Sequence, residues 1–85
     1  MNQTQPVAVD QNVIRIISDV AAVAPKDIKP TDRLREDLGM DSVSSMELLS
    51  ALAEELDLEI EMEEAIDINT VDAVITIVKT KLGIG

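Results

Sequence analysis

The stretch Leu38-Gly39-Met40-Asp41-Ser42-Val43, which is followed by an acidic amphipathic segment, decides the fold. It predicts that a loop ends at residue 40 and that a helix begins at Asp41 or Ser42. The N-terminal end of a helix carries partial positive charge and free backbone N–H groups, so a serine there is well placed to hold a phosphate ester. The chain has no histidine or cysteine to activate Ser42. Ser42 is therefore predicted to be an attachment point or simply a helix cap, rather than a nucleophile.

The segment after Ser42 predicts a second helix that runs to about Asp57. Its apolar stripe consists of Met46, Leu48, Leu49, Leu52, Ala53 and Leu56. The preceding residues 25–40 contain Pro25, Pro30 and Gly39, which predict a long loop. The apolar residues expected to anchor this loop over the core are Ile28, Leu34 and Leu38.

A first helix is predicted from an N-cap at Asp10 to Ala24 or one residue earlier, because Pro25 disfavours helical geometry in the residue before it. Its apolar positions, which follow helical spacing, are Val13, Ile16, Ile17, Val20 and Ala24. Residues 1–9 are expected to form a flexible N-terminal tail. They show no basic region followed by an apolar run, and we expect no signal peptide and no membrane span in the chain.

Beyond the second helix, residues 57–62 alternate acidic and apolar side chains, and an extended loop is favoured because no partner strand is evident. Residues 63–66 are expected to form a short helix. A last helix follows a cap at Asn69 or Thr70 and ends near Gly83. Its apolar positions are Val71, Val74, Ile75, Val78 and Leu82. The prediction is thus an all-α, small four-helix bundle, with three main helices and one short one, forming a single domain over residues 10–85.

The amino-acid composition of the chain restricts its core and excludes several kinds of functional site. The chain is 46% hydrophobic and 0% aromatic, so its core must be aliphatic. The absence of cysteine excludes disulfides, thiolate metal sites and thiol catalysis. No window has the ligand spacing of a calcium-binding loop, so no specific metal site is expected.

The net charge is -10, and residues 36–78 contain thirteen acids but no lysine or arginine. Such a field repels nucleic acids and anionic lipids and attracts basic protein surfaces. We therefore expect a protein that binds neither nucleic acid nor membrane. Without a signal peptide or a membrane span, a monomer in the cytoplasm or an organellar matrix is expected. The acidic face also has a simpler interpretation, which is that it keeps a small protein in solution.

The sequence resembles the acyl carrier proteins (ACPs) of fatty acid and polyketide synthesis. Their signature, Asp-Leu-Gly-x-Asp-Ser-Leu before an acidic helix, is matched nearly throughout by Asp37-Leu38-Gly39-Met40-Asp41-Ser42-Val43. The likeness covers residues 10–83. It continues through Glu47-Leu48, Ala51-Leu52, Glu54-Glu55-Leu56, Glu63-Glu64-Ala65 and Ile68-x-Thr70-Val71.

The resemblance implies that a phosphopantetheinyl transferase esterifies Ser42 with 4′-phosphopantetheine from coenzyme A. The prosthetic thiol then carries acyl groups as thioesters, and the protein itself catalyses nothing. It also implies shelter for an acyl chain between the second and third helices. The implied partners, besides the transferase, are acyl-ACP synthetases, ketosynthases, acyltransferases and similar enzymes with basic docking patches.

A carrier must bind many enzymes and leave each one. Ion pairs at the rim of an interface suit this, because they speed association and add little affinity. The acids predicted to meet these patches are Asp41, Glu47, Glu54, Glu63 and Glu64. The predicted apolar partner contacts are Val43, Ile60, Ala65 and Ile66. The alternative is that the glutamates are only solvated and that Ile60 and Ile66 belong to the core.

Several residues depart from the family pattern. Val43 is shorter than the usual leucine. Ser44 and Ala53 stand where acids are common, and Ser50 replaces a protruding apolar residue. Arg33 and Arg35 add positive charge to the loop before Ser42. These departures favour a specialised carrier over a housekeeping one. A D-alanyl or peptidyl carrier protein is an alternative within the same class, and an unmodified acidic adaptor is an alternative of another class.

Overall fold

In the computed structural model, the part of the chain that the structure describes folds into four α-helices in the predicted order. The structure describes the backbone of residues 6–83 and the side chains of residues 9–61 and 63–83. The helices are α1 (Pro6–Ala21), α2 (Ser42–Leu56), α3 (Met62–Ala65) and α4 (Val71–Leu82). Three of them are long, one is short, and a long loop joins α1 to α2. The predicted all-α four-helix fold is confirmed.

Both predicted ends of the first helix were wrong. α1 begins at Pro6 instead of after Asp10, which shortens the predicted tail; residues 1–5 lie outside the described part of the chain. A proline fits the first helical position because that position needs no backbone donor. Asp10 is not a cap because it lies inside α1, and its Oδ1 lies 3.0 Å from Nζ of Lys79. α1 ends at Ala21 because Ala22 adopts a left-handed conformation with φ of 59°.

Helix α2 matches its predicted bounds, but one part of its predicted apolar stripe was wrong. Asp41 is the N-cap and Asp57, with φ of 54°, is the C-cap. Leu48 and Leu52 are buried, whereas Met46 is 60% exposed. Met46 lies on a different face of the helix, which does not pack against the core.

The long loop between α1 and α2 is ordered by its apolar anchors. Ile28, Leu34 and Leu38 are buried as predicted, and Met40 is buried as well. The loop contains one 3₁₀ turn, Pro25–Asp27. Its backbone is also tied to the start of α4. Three N–H···O bonds of 2.9–3.0 Å make this connection: Leu34 to Asn69, Val71 to Asp32, and Asp72 to Pro30.

The second half of the chain follows the prediction closely. Residues 57–61 form no strand, and α3 begins and ends one residue before the predicted 63–66. Thr70 caps α4, because its Oγ1 accepts the Ala73 N–H at 3.1 Å. Gly83 ends α4 with φ of 77°. The predicted apolar positions of α4 are buried except Leu82, which is 38% exposed.

The core is purely aliphatic and lies where α1 packs against α2 and α4. No polar or charged side chain is buried among those that the structure describes. The buried residues are Val13, Ile16, Ile17, Ile28, Leu34, Leu38, Met40, Leu48, Leu52, Val71, Val74, Ile75 and Val78.

Candidate functional site

Ser42 is the first residue of α2, and its side chain is exposed. The neighbouring Asp41 caps the helix, since its Oδ1 accepts the Ser44 N–H at 2.9 Å. This backbone hydrogen bond is the main reason that the pKa of Asp41 lies below its ordinary value. The Ser42 hydroxyl has no hydrogen-bond partner within the described residues. It is therefore open to chemical modification at a helix end that favours an anionic substituent.

The loop in front of Ser42 is held in one conformation. Gly39 has φ of +70°, a region that residues with a side chain rarely adopt. The Met40 N–H donates to the Leu34 carbonyl at 2.9 Å, and both side chains are buried. This fixed hairpin-like turn sets the position at which α2 starts, and hence where Ser42 points.

An ion pair closes the same turn from outside. The Asp37 carboxylate accepts hydrogen bonds from the Arg33 backbone N–H at 2.7 Å and from Nε of Arg33 at 3.3 Å. The backbone bond is the main cause that lowers the pKa of Asp37, and the side-chain bond adds to it. Both residues stay exposed, so the pair orders the turn but contributes little energy.

A cavity of about 700 Å³ opens beside Ser42. One wall is a stripe of α2 with helical spacing, formed by Ser42, Ser45, Met46 and Leu49. The loop supplies a second wall through residues 33–36. The third wall runs from α3 to the cap of α4 and consists of Ala65, Ile66, Ile68, Asn69 and Thr70. The attachment candidate therefore opens onto a space with apolar side chains from two helices.

Helix α3, which carries part of this third wall, is fastened by Glu64. The Glu64 carboxylate lies 2.8 Å from Nζ of Lys81 and accepts the Glu61 N–H at 2.9 Å. The Lys81 hydrogen bond is the largest cause that lowers the pKa of Glu64, followed by the Glu61 bond. Glu64 is also one of the acids predicted to meet basic partners, and within the domain its carboxylate is paired with Lys81.

The other predicted partner contacts fall into two groups. Val43, Glu47 and Glu54 lie together on the exposed side of α2, where they line a shallow groove with Met46, Ser50 and Ala51. Glu63 and Ile66 are exposed near α3, and Ile66, at 80% exposure, is not a core residue. Ala65 and Ile66 face the cavity instead of the groove.

Ile60 is different, because it is half-buried and packs against the core. The cavity is also lined by residues that were not predicted to belong to the site, namely Ser45, Met46, Leu49, Ile68, Asn69 and Thr70. The spacing of positions 42, 45, 46 and 49 was the signal for the α2 wall.

No helix in residues 6–83 is long and apolar enough to cross a membrane. Among the same residues, no three carboxylates are grouped as metal ligands would be.

A small acidic helical domain with an exposed serine at a helix start, beside a partly apolar cavity, is the arrangement expected of a carrier protein. Residues 11–83 match the family described as phosphopantetheine attachment site, and the chain belongs to this family. The structure is also similar to that of a candidate acyl carrier protein from Mycobacterium tuberculosis. The sequences are 25% identical, the TM-score is 0.75, and the match covers 89% of this chain and 96% of the other. The predicted acyl carrier family and the 4′-phosphopantetheine cofactor are thereby confirmed.

Proposed function

We propose that Ser42 carries the 4′-phosphopantetheine group and that the protein presents acyl intermediates to enzymes of a specialised fatty acid or polyketide type of pathway. The observation that carries this proposal is the exposed Ser42 hydroxyl at the first position of α2, on the wall of the cavity. The attached group supplies a thiol that binds acyl groups as thioesters, which this cysteine-free chain cannot provide itself. We place the protein in the cytoplasm as a monomer.

The residues around Ser42 fit such a group. The helix end stabilises a phosphodiester on the hydroxyl, because the partial charge of the helix end is positive. The fixed turn at Gly39 keeps the hydroxyl at the surface, where a transferase can reach it. Apolar side chains of the cavity, among them Leu49 and Ile68, exclude water from a bound hydrocarbon chain.

Partner enzymes meet the exposed side of α2 in this proposal. Val43, Glu47 and Glu54 supply one apolar contact and two negative charges along a shallow groove. Such exposed charges raise the rate of encounter with basic surfaces and are weakened by salt. Glu64 takes a smaller part, since Lys81 competes for its carboxylate.

The first test is covalent loading. The unmodified protein is incubated with coenzyme A and a broad-specificity phosphopantetheinyl transferase, and the intact mass is measured. We expect one prosthetic-group increment in the wild type and in Ser50→Ala, and none in Ser42→Ala. Ser50 is the matched control because it is an exposed serine of the same helix. An increment that survives Ser42→Ala moves the attachment to another residue.

The second test concerns the cargo. Mass analysis of the acyl groups on protein isolated from its source separates acyl intermediates from D-alanyl and peptidyl groups. Fatty acyl or polyketide-type groups support the proposal, whereas D-alanine or an aminoacyl group would replace it with one of those carriers. Protein isolated without any prosthetic group would favour the unmodified adaptor.

A further inference from the structure

The cavity beside Ser42 has an unusual charge for this protein. Arg33 and Arg35 are the only basic residues between positions 30 and 78, and both line the cavity. Glu36 is the only acid in the cavity wall within the described residues. By formal charge the lining carries two cations and one anion, although the whole chain has a net charge of -10.

The two arginines are not equivalent. The guanidinium of Arg33 is paired with Asp37, with 3.3 Å between Nε and Oδ2. Arg35 has no carboxylate within 4.0 Å among the described residues. Its backbone is fixed all the same, because the Gly39 N–H donates to the Arg35 carbonyl at 3.1 Å. Arg35 is thus an exposed cation in the cavity lining with no ion-pair partner among the described residues.

Neutral polar groups accompany Arg35 in the wall. Thr70 uses its hydroxyl oxygen as the cap of α4. In contrast, the Ser45 hydroxyl and the Asn69 side-chain amide have no hydrogen-bond partner within the described residues. Since the apolar side chains lie in the same cavity, its lining suits a molecule that is mostly hydrocarbon and carries one anionic oxygen group.

We infer that the Ser42 cavity contains a subsite for an anionic oxygen group, with Arg35 as its counter-cation. This inference rests on the proposed function, because the ligand reaches the cavity from Ser42. Two sources offer this chemistry, a carboxylate on the acyl chain and the phosphodiester of the prosthetic arm. A guanidinium suits both, because its N–H groups can donate two parallel hydrogen bonds to two oxygen atoms.

The experiment loads the protein through the transferase with either adipoyl-coenzyme A, labelled with ¹³C at its free carboxylate, or hexanoyl-coenzyme A. The chains have the same length and differ in the terminal carboxylate. Wild type is compared with Arg35→Gln, Arg35→Lys and Lys26→Gln. Lys26 is the matched control because it is exposed in the 3₁₀ turn, does not line the cavity, and has no ion pair among the described residues.

Two NMR readouts separate the sources. The first readout is an NMR titration of the ¹³C-labelled carboxylate in the adipoyl form. If this carboxylate occupies the subsite, Arg35→Gln raises the proton affinity of the carboxylate about two- to fivefold, the range expected for an exposed ion pair. In Arg35→Lys the proton affinity returns most of the way to its wild-type value, and Lys26→Gln raises it less than Arg35→Gln does. If the phosphodiester occupies the subsite, Arg35→Gln shifts its ³¹P resonance in the hexanoyl form, whereas Lys26→Gln does not.

Equal responses of Arg35→Gln and Lys26→Gln in both readouts overturn the subsite. The intact mass of each sample keeps this outcome distinct from failure of the proposed function. A protein that is fully loaded at Ser42 but lacks the Arg35 effect refutes the subsite alone. A protein that cannot be loaded at Ser42 refutes the function on which the subsite rests.

Discussion

The substitution Leu52→Ala is the most direct test of the packing of α2 against α1. The Leu52 side chain is 0% exposed and lies in α2, where that helix packs against α1. Leu52→Ala removes three carbon atoms, which costs about 2.4 kcal/mol in lost transfer free energy at about 0.8 kcal/mol per carbon. Incomplete collapse of the cavity adds to this loss, so we expect a total of about 3 kcal/mol.

This loss is large for a chain of 85 residues. Domains of that size have a free energy of unfolding of about 4 to 13 kcal/mol. A loss of about 3 kcal/mol should lower the melting temperature by about 12 to 24 °C. Urea unfolding followed by circular dichroism gives the free-energy change directly, provided that the m-value, the slope of the unfolding free energy against urea concentration, is the same in both proteins.

Met46→Ala is the matched control on the same helix. The sequence pattern places both residues in one apolar stripe, but Met46 is 60% exposed. Leucine and methionine have similar helix propensities, so the difference between the two variants measures packing. We expect Met46→Ala to cost about 1 kcal/mol or less, since most of its side chain is already in water. A loss for Met46→Ala equal to that for Leu52→Ala would refute the assigned faces of α2.

Three further predictions concern the caps and the α3 ion pair. Thr70→Ala should destabilise the protein by about 1 kcal/mol in urea unfolding, and Thr70→Ser should restore most of it, because the hydroxyl caps α4. The lowered pKa of Asp41 stabilises the fold above its ordinary value of 3.8, and this contribution is lost as pH falls through the lower folded-state value. The stability advantage of wild type over Asp41→Asn should therefore shrink below about pH 3.8, and a constant difference would contradict the cap. By carboxyl NMR, Lys81→Gln should raise the pKa of Glu64 toward 4.5, whereas Lys79→Gln should not.

Most of the fold could be predicted because its local signals agree. The bounds of α2 follow from Asp41 and the apolar spacing, and α4 follows from Thr70, its apolar positions and Gly83. The start of α1 was missed because Asp10 is a good cap by residue type. Its carboxylate is instead paired with Lys79, a contact across 69 positions of the chain that no local pattern reveals.

The chemistry of the site could be predicted from the sequence, but the residues that line the cavity could not. Ser42 stood out through its motif and its place at a helix start. The cavity depends on how α2, the loop at residues 33–36 and α3 come together, which is a tertiary property. The apolar pattern placed Met46 and Leu48 in one stripe of α2, but it does not show which edge of that stripe meets the core. For the same reason Glu64 looked like a free docking charge, although Lys81 is its partner.

The proposed function requires one small domain both to hold and to release a cargo, and the distribution of contacts fits this requirement. The core joins α1, α2 and α4, and the loop before Ser42 is fixed by backbone hydrogen bonds. Among the described side chains of α3, none is buried, and Glu64 and Lys81 form a partly exposed pair. Exposed pairs of this kind contribute little, and segments with few buried apolar contacts open at low cost. We therefore expect the cavity wall at Ala65 and Ile66 to move more readily than Ser42, since the contacts that fix Ser42 do not include α3.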